Sequence, residues 1–224
     1  MTTVDGVVQA ITEGIRDGLY APGQRLVESD LTREFGVSRG PLREAFGRLA
    51  ADGLVVIKPY RGALVRRMSR EDIVELFEVR EALEGQAARL AAERIDTADH
   101  RSRLEGVIAE VHEHRGSSDV SRYMDVNERF HQVIVEIAGN TMLARLLGQL
   151  HVQAFRLLYR RLIDVAAKAD SIDEHDAVAA AILASDPGNA EQAMREHVRS
   201  SAESVLRLEV WQTRAPLGTR RAVR

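Results

Sequence analysis

The pattern of the chain changes once, near Met68, and that change limits the fold more than any other feature. Before it lie short helical segments followed by two β-branched runs. Val55-Val56-Ile57-Lys58-Pro59 ends at a proline, Tyr60-Arg61-Gly62 supplies a turn and Ala63-Leu64-Val65 returns, which reads as a hairpin. After Ser69 the pattern is helical almost to the end. Ser69 with Asp72 three residues on has the form of a capping box, so a helix is expected to begin there. Thr97, Gly116-Ser117-Ser118, Gly139-Asn140, Ser171 and Pro187-Gly188 divide the rest into six predicted helices. The expectation is a mainly α protein in two parts, residues 1–68 and an all-helical bundle over 69–208, with an aperiodic, Arg-rich tail over 209–224.

Composition narrows the function classes. Of 224 residues 45% are hydrophobic and 29% charged, enough apolar material for real cores. The absence of cysteine removes a disulfide scaffold, a thiolate zinc site and a cysteine nucleophile together. No apolar run approaches the roughly 18–20 residues that a bilayer requires, and Met1–Ala10 is not a secretory signal, so a cytoplasmic protein with no membrane partner is expected. The net charge of −3 is unevenly spread: 10 Lys+Arg stand against 8 Asp+Glu up to Met68, and 21 against 26 after it. Lys58 and Lys168 are the two lysines, so the positive charge is almost all guanidinium, which suits two-point contacts.

Within the first part, Leu31 and Phe35 face inward on one helical segment, and Phe35-Gly36-Val37 forms a turn that glycine permits. Ser38 is placed to cap a second helix with the apolar stripe Leu42, Ala45, Phe46 and Leu49. Pro41 falls in its first turn, where the missing N–H costs little. Arg39 and Arg43, four apart, share the opposite face near the helix N-terminus. A helix that enters the major groove needs one buried face and one cationic face of this kind, and its N-terminal amides can hold a phosphate. On spacing alone, a surface helix with solvated arginines is the alternative. The hairpin after it would be a wing with Arg61 and Gly62 at its tip.

The residues Pro22-Gly23-Gln24-Arg25-Leu26-Val27-Glu28, Gly36-Val37-Ser38-Arg39-Gly40-Pro41-Leu42-Arg43-Glu44-Ala45, Gly53-Leu54 and Arg61-Gly62-Ala63 resemble the winged helix-turn-helix of the GntR family of bacterial transcription regulators. The resemblance implies that Arg39 and Arg43 contact double-stranded operator DNA, with Ser38 and the wing glycine Gly62 assisting, and the wing reading adds Arg61 near the backbone or minor groove. Gly40 departs from the family pattern, where threonine is usual, so one hydroxyl contact to phosphate is absent.

In the second part the histidines separate by helical phase. His131 shares a stripe with Phe130, Ile134 and Ala138, His175 with Val178, Ala179 and Ile182, and His197 with Ala193, Met194 and Ser201. His100 and His114 read as exposed, and His112 and His151 as stripe-edge residues. One inward histidine is ordinarily a core residue with a partner. Three from separate helices each need one when buried, and a single metal satisfies them together. Asn127, one turn before His131, can add its amide oxygen. Nitrogen ligands without thiolate favour a divalent transition metal such as Zn or Ni over Ca or Mg. Arg80 interrupts the stripe Ile73, Leu76, Phe77, Leu83, Ala87 and Leu90 of the helix after Ser69. Either Glu84 one turn on neutralises it, or it also meets the carboxylate of a small molecule at the metal. Arg156 and Tyr159 are further candidates for that pocket.

Glu78-Val79-Arg80-Glu81-Ala82-Leu83-Glu84, Asn127, Phe130-His131, Ala138-Gly139-Asn140, His175 and His197 are similar to the ligand-binding FCD domain of the FadR subfamily, and six helices resemble its VanR-type branch. The resemblance implies a divalent metal held by Asp or Asn and three histidines. Asn127 in place of Asp removes a charge from that set. The expected protein is a homodimeric repressor on a pseudo-palindromic operator, controlled by a small organic acid. A metalloenzyme is disfavoured, since there is no HExxH spacing and no general-base carboxylate evident beside the site. A regulator whose signal is the metal itself, or a purely structural metal, is the remaining alternative.

Overall fold

The capping box at Ser69 is formed in full: Ser69 Oγ accepts from the Asp72 backbone N–H at 3.0 Å, and Asp72 Oδ2 accepts from the Ser69 N–H at 2.7 Å. It starts the longest helix of the computed structural model, which describes residues 3–16, 18–115, 117, 119–150 and 165–207.

Ahead of that cap the chain runs α1 (Val4–Arg16), β1 (Arg25–Leu26), α2 (Glu28–Phe35), α3 (Arg39–Ala51), β2 (Val55–Lys58) and β3 (Gly62–Val65). The strands form an antiparallel sheet of order β1-β3-β2, with Val55 opposite Val65 and Arg25 opposite Leu64. The hairpin matches its sequence expectation. β1 is additional: two residues are too few for an alternating pattern to show. Val7, Ile11 and Ile15 of α1 close a core with Leu31, Leu42, Phe46, Leu49 and Val65. Phe35 packs at its edge, half-buried. Gly36 ends α2 in the left-handed region (φ 64°), and its N–H returns to Thr32 O. That makes the abrupt turn into α3, which other residues resist.

After the cap come α4 (Arg70–Arg94), α5 (His100–Glu113), α6 (Val120–Ala138), α7 (Thr141–Leu150), α8 (Val165–Leu183) and α9 (Pro187–Leu206), six helices among the described residues. A second apolar cluster joins them through Ile73, Phe77, Ala88, Leu104, Phe130, Ile134, Ile172, Val178 and Met194. Leu83 and Leu90 of the α4 stripe are only half-buried. α9 packs along α4, and Gly85 is what lets it: a Cβ there would meet Arg195 Cγ at 2.7 Å. Gly139 ends α6 in the left-handed region, and Asp186 caps α9 by accepting from Asn189 N–H at 3.1 Å. The start expected at Ser171 is not one. Ser171 lies inside α8, where its hydroxyl accepts from Tyr123 Oη–H at 2.8 Å, so a tertiary partner replaces the cap. No described helix is long and apolar enough to cross a membrane.

Candidate nucleic-acid interface and metal centre

α3 buries Leu42, Ala45, Phe46 and Leu49, so the opposite face is left for solvent or a ligand. Arg39, Gly40 and Arg43 are all exposed there, near the helix N-terminus. Ser38 occupies the N-cap position, but its side chain makes no cap hydrogen bond, contrary to the sequence expectation. The hydroxyl is thus left exposed beside the first amides of the helix. The hairpin tip presents exposed Tyr60 and Arg61. Tyr60 (φ 62°) and Gly62 (φ 74°) both adopt left-handed backbone, and Arg61 N–H closes the turn onto Lys58 O. One carboxylate adjoins this face that the local pattern did not flag: Glu28, at the start of α2, is paired with Arg43.

In the bundle, α6, α8 and α9 bring His131, His175 and His197 to one buried point, with one nitrogen from each ring within 4.8 Å of the other two. His131 and His197 rings stack at 5.1 Å between centroids, with their Nε2 atoms 3.2 Å apart. His175 lies 4.5 Å from His197 and 4.4 Å from Phe130, centroid to centroid. Two carboxylates flank the cluster. Glu174 Oε2 accepts from His197 Nδ1 at 2.8 Å. Glu84 Oε2 stands 2.8 Å from His131 Nδ1, off the line of an ideal hydrogen bond. Its other oxygen accepts from Arg80 Nε, also at 2.8 Å, and the Arg80 guanidinium carbon lies 4.9 Å from the Phe77 ring centroid. The neutralisation of Arg80 by Glu84 is therefore present.

Burial acts on two of these rings. It pushes the His175 pKa well below the ordinary histidine value, reinforced by the neighbouring His197 and His131. The His197 pKa also falls through burial, a fall that its hydrogen bond to Glu174 opposes. Burial pushes Glu174 up, but hydrogen bonds from His197 and Ser200 outweigh it and hold the carboxyl below its usual range. Neutral imidazoles with lone pairs are what a metal requires.

The residues fit a metal on two observations. With their Nδ1 protons directed to Glu174 and Glu84, His197 and His131 would turn two Nε2 lone pairs toward each other, a repulsion that a shared cation removes. Their 3.2 Å separation is close to the edge of a tetrahedron of Zn–N bonds, about 3.3 Å for bonds of 2.0–2.1 Å. Independently, neither ring nitrogen of His175 has a hydrogen-bond partner although the residue is fully buried, a costly state for polar atoms unless something binds them. Three buried histidines can therefore bind a metal ion here.

The comparisons with known proteins cover both parts. The model described as bacterial regulatory proteins, gntR family, matches residues 3–65, and the FCD domain model matches residues 75–200. The chain belongs to the GntR family. A probable D-xylose utilization operon transcriptional repressor of Paenarthrobacter nicotinovorans is 30% identical over 88% of this chain and 86% of its own length. The HTH-type transcriptional repressor RspR of Escherichia coli K12 is 30% identical over 84% of this chain and 82% of its own. The E. coli McbR/YncC structure has the same fold at a TM-score of 0.76, covering 90% of this chain and 96% of that one, at 22% identity. This GntR protein is thus a DNA-binding transcriptional regulator and not an enzyme.

Of the other expected site residues, Asn127 is half-buried on α6 one turn before His131, and Arg156, Tyr159 and His151 fall outside the described residues. His112 is exposed, while His100 and His114 are half-buried; His100 Nδ1 is turned to Arg94 O at 2.8 Å. Sequence reasoning missed Glu174 and the second role of Glu84. Glu174 reads as a surface residue beside His175, and its pairing with His197 depends on how α8 meets α9.

Proposed function

We propose that this GntR regulator is a homodimeric cytoplasmic repressor that releases a pseudo-palindromic operator when a small organic acid binds in its helical domain. Two copies double the few base pairs that one reading head covers. In this reading residues 1–68 read DNA and residues 69–208 sense and dimerise, while the tail expected over 209–224 lies outside the described residues. Arg39 and Arg43 reach base edges, Ser38 and the amides around Gly40 meet phosphate, and Arg61 and Gly62 approach the backbone or minor groove.

The observation that carries the sensing half is the convergence of three buried imidazoles next to the Arg80–Glu84 pair. His131, His175 and His197, with Asn127 as a fourth donor, would hold a divalent metal, zinc or nickel by the nitrogen-rich set. When bound, such an ion supplies a Lewis-acidic anchor for a carboxylate oxygen. Arg80 then offers the acid's other oxygen a charged donor, with Arg156 and Tyr159, which lie outside the described residues, as further candidate donors. The acid alters DNA affinity only by favouring one arrangement of the two parts over the other.

A second reading has one observation in its favour: Arg80 Nε is already committed to Glu84, so the metal alone could be the signal. The test is operator affinity, using the duplex that the protein selects from a random pool. It is titrated first with Zn²⁺ or Ni²⁺ alone, then with a panel of small carboxylates at fixed metal. Release by an acid with metal alone inert supports the effector reading. Release by metal alone across a physiological range overturns it in favour of the second.

A further inference from the structure

Arg43 is exposed on the reading helix, yet its guanidinium is already engaged. Nε donates to Glu28 Oε1 at 2.9 Å and Nη2 to Glu28 Oε2 at 3.1 Å. The carboxylate belongs to the first residue of α2, where the helix N-terminus favours a negative charge. The hydrogen bond from Arg43 lowers the Glu28 pKa against a smaller opposing effect of burial, and the charges of Arg43 and Arg39 add to the fall. Glu28 is half-buried while Arg43 is mostly exposed, so the better fixed member of the pair is the carboxylate.

A guanidinium has five N–H groups on a rigid fork. Glu28 occupies the edge shared by Nε and Nη2. The Nη1/Nη2 edge is left, and it has the spacing that matches guanine O6 and N7. A phosphate approaching the same group meets the Glu28 carboxylate beside it. The pair has no net charge, so Arg43 adds little to the counterion release that drives sequence-independent binding.

We propose that Glu28 is a positioning residue for DNA reading: it fixes the orientation of Arg43 and cancels its charge, so that Arg43 discriminates between bases instead of adding to indiscriminate phosphate affinity. This rests on the reading of Arg43 as a DNA contact, and the experiment separates the two. Full-length wild type, Glu28→Gln, Arg43→Ala and the double variant are compared on two duplexes over a range of salt. One duplex is the sequence that wild type selects from a random pool, and the other is its scrambled counterpart. Glu28→Gln should bind the scrambled duplex about tenfold more tightly at 50 mM salt, with a log–log salt slope steeper by about 0.9. The preference for the selected duplex should fall by about tenfold, with the thermal midpoint little changed because a pair whose arginine is mostly exposed contributes little to stability. In the Arg43→Ala background, Glu28→Gln should leave that preference unchanged. Glu28→Asp keeps the charge but shortens the reach, so it should lower the preference without steepening the slope. A wild-type preference in Glu28→Gln, or the same loss in the Arg43→Ala background, overturns the proposal. An unchanged preference in Arg43→Ala alone overturns the reading of Arg43 itself.

Discussion

Glu84 Oε2 stands 2.8 Å from His131 Nδ1 in the interior of the bundle, at a carboxylate only 2% exposed. A carboxylate on the far nitrogen of a ligating imidazole orients the ring and raises its basicity. Glu84→Gln keeps the shape and loses the charge. Zinc affinity, read by competition with a chromogenic chelator, should fall about 10–100-fold. An unchanged affinity would show that Glu84 serves Arg80 alone.

His175 supplies the sharpest test of the metal centre, because its two ring nitrogens have no hydrogen-bond partner to lose. A ligand at a hundred times its Kd stabilises the folded state by about 2.7 kcal/mol, which corresponds to roughly 5–10 °C in a chain of this size. Wild type should therefore melt several degrees lower after EDTA treatment. His175→Ala should melt at the same temperature with and without EDTA, whatever its baseline. Equal responses of the two proteins to chelator would remove His175 from the ligand set.

What the sequence disclosed, and what it hid, divides by distance along the chain. The stripe Leu42, Ala45, Phe46, Leu49 is fully buried because helical phase is a local property that a few residues determine. The same phase turns His131, His175 and His197 inward. The pairs that tune them are not local. Glu174 meets His197 across 23 residues and Glu28 meets Arg43 across 15, contacts that exist only after the helices have packed. Ser171 misled for the same reason: its polarity reads as a helix start, while Tyr123 on another helix satisfies it.

Gly40 lies exposed in the first turn of α3, and a Cβ built there meets nothing within 4 Å. Gly40→Ala should stabilise the protein by about 0.5 kcal/mol through a less flexible unfolded chain, read as a higher urea midpoint. Gly40→Thr also restores the hydroxyl usual in the family at this position. If that hydroxyl reaches phosphate, DNA binding should strengthen by about 1 kcal/mol on every sequence alike. A gain confined to the selected duplex would instead make residue 40 a base contact.

Asp72 joins three features of the junction between the two parts. Its carboxylate accepts from the Ser69 N–H, completes the cap of α4 and accepts from Arg66 Nη2 at 2.8 Å. The backbone hydrogen bond from Ser69 chiefly lowers its pKa, helped by the Ser69 hydroxyl and Arg66 and opposed by burial. The sign of the pH dependence follows. Above the unfolded-state value, about 3.9, the carboxyl is ionised in both states and its stabilisation is complete. As the pH falls through that value toward the lower folded one, the unfolded chain takes up a proton that the folded chain refuses, and the stabilisation is lost. Asp72→Asn removes the ionisation. At pH 7 and pH 5 it should be less stable than wild type by about 1 kcal/mol, a typical cap contribution for a group one-third exposed. Near pH 3 that deficit should shrink. Urea unfolding of both proteins at the three pH values measures it, and a deficit equal at all three would show that hydrogen-bonding shape, not charge, is what Asp72 contributes to the start of α4.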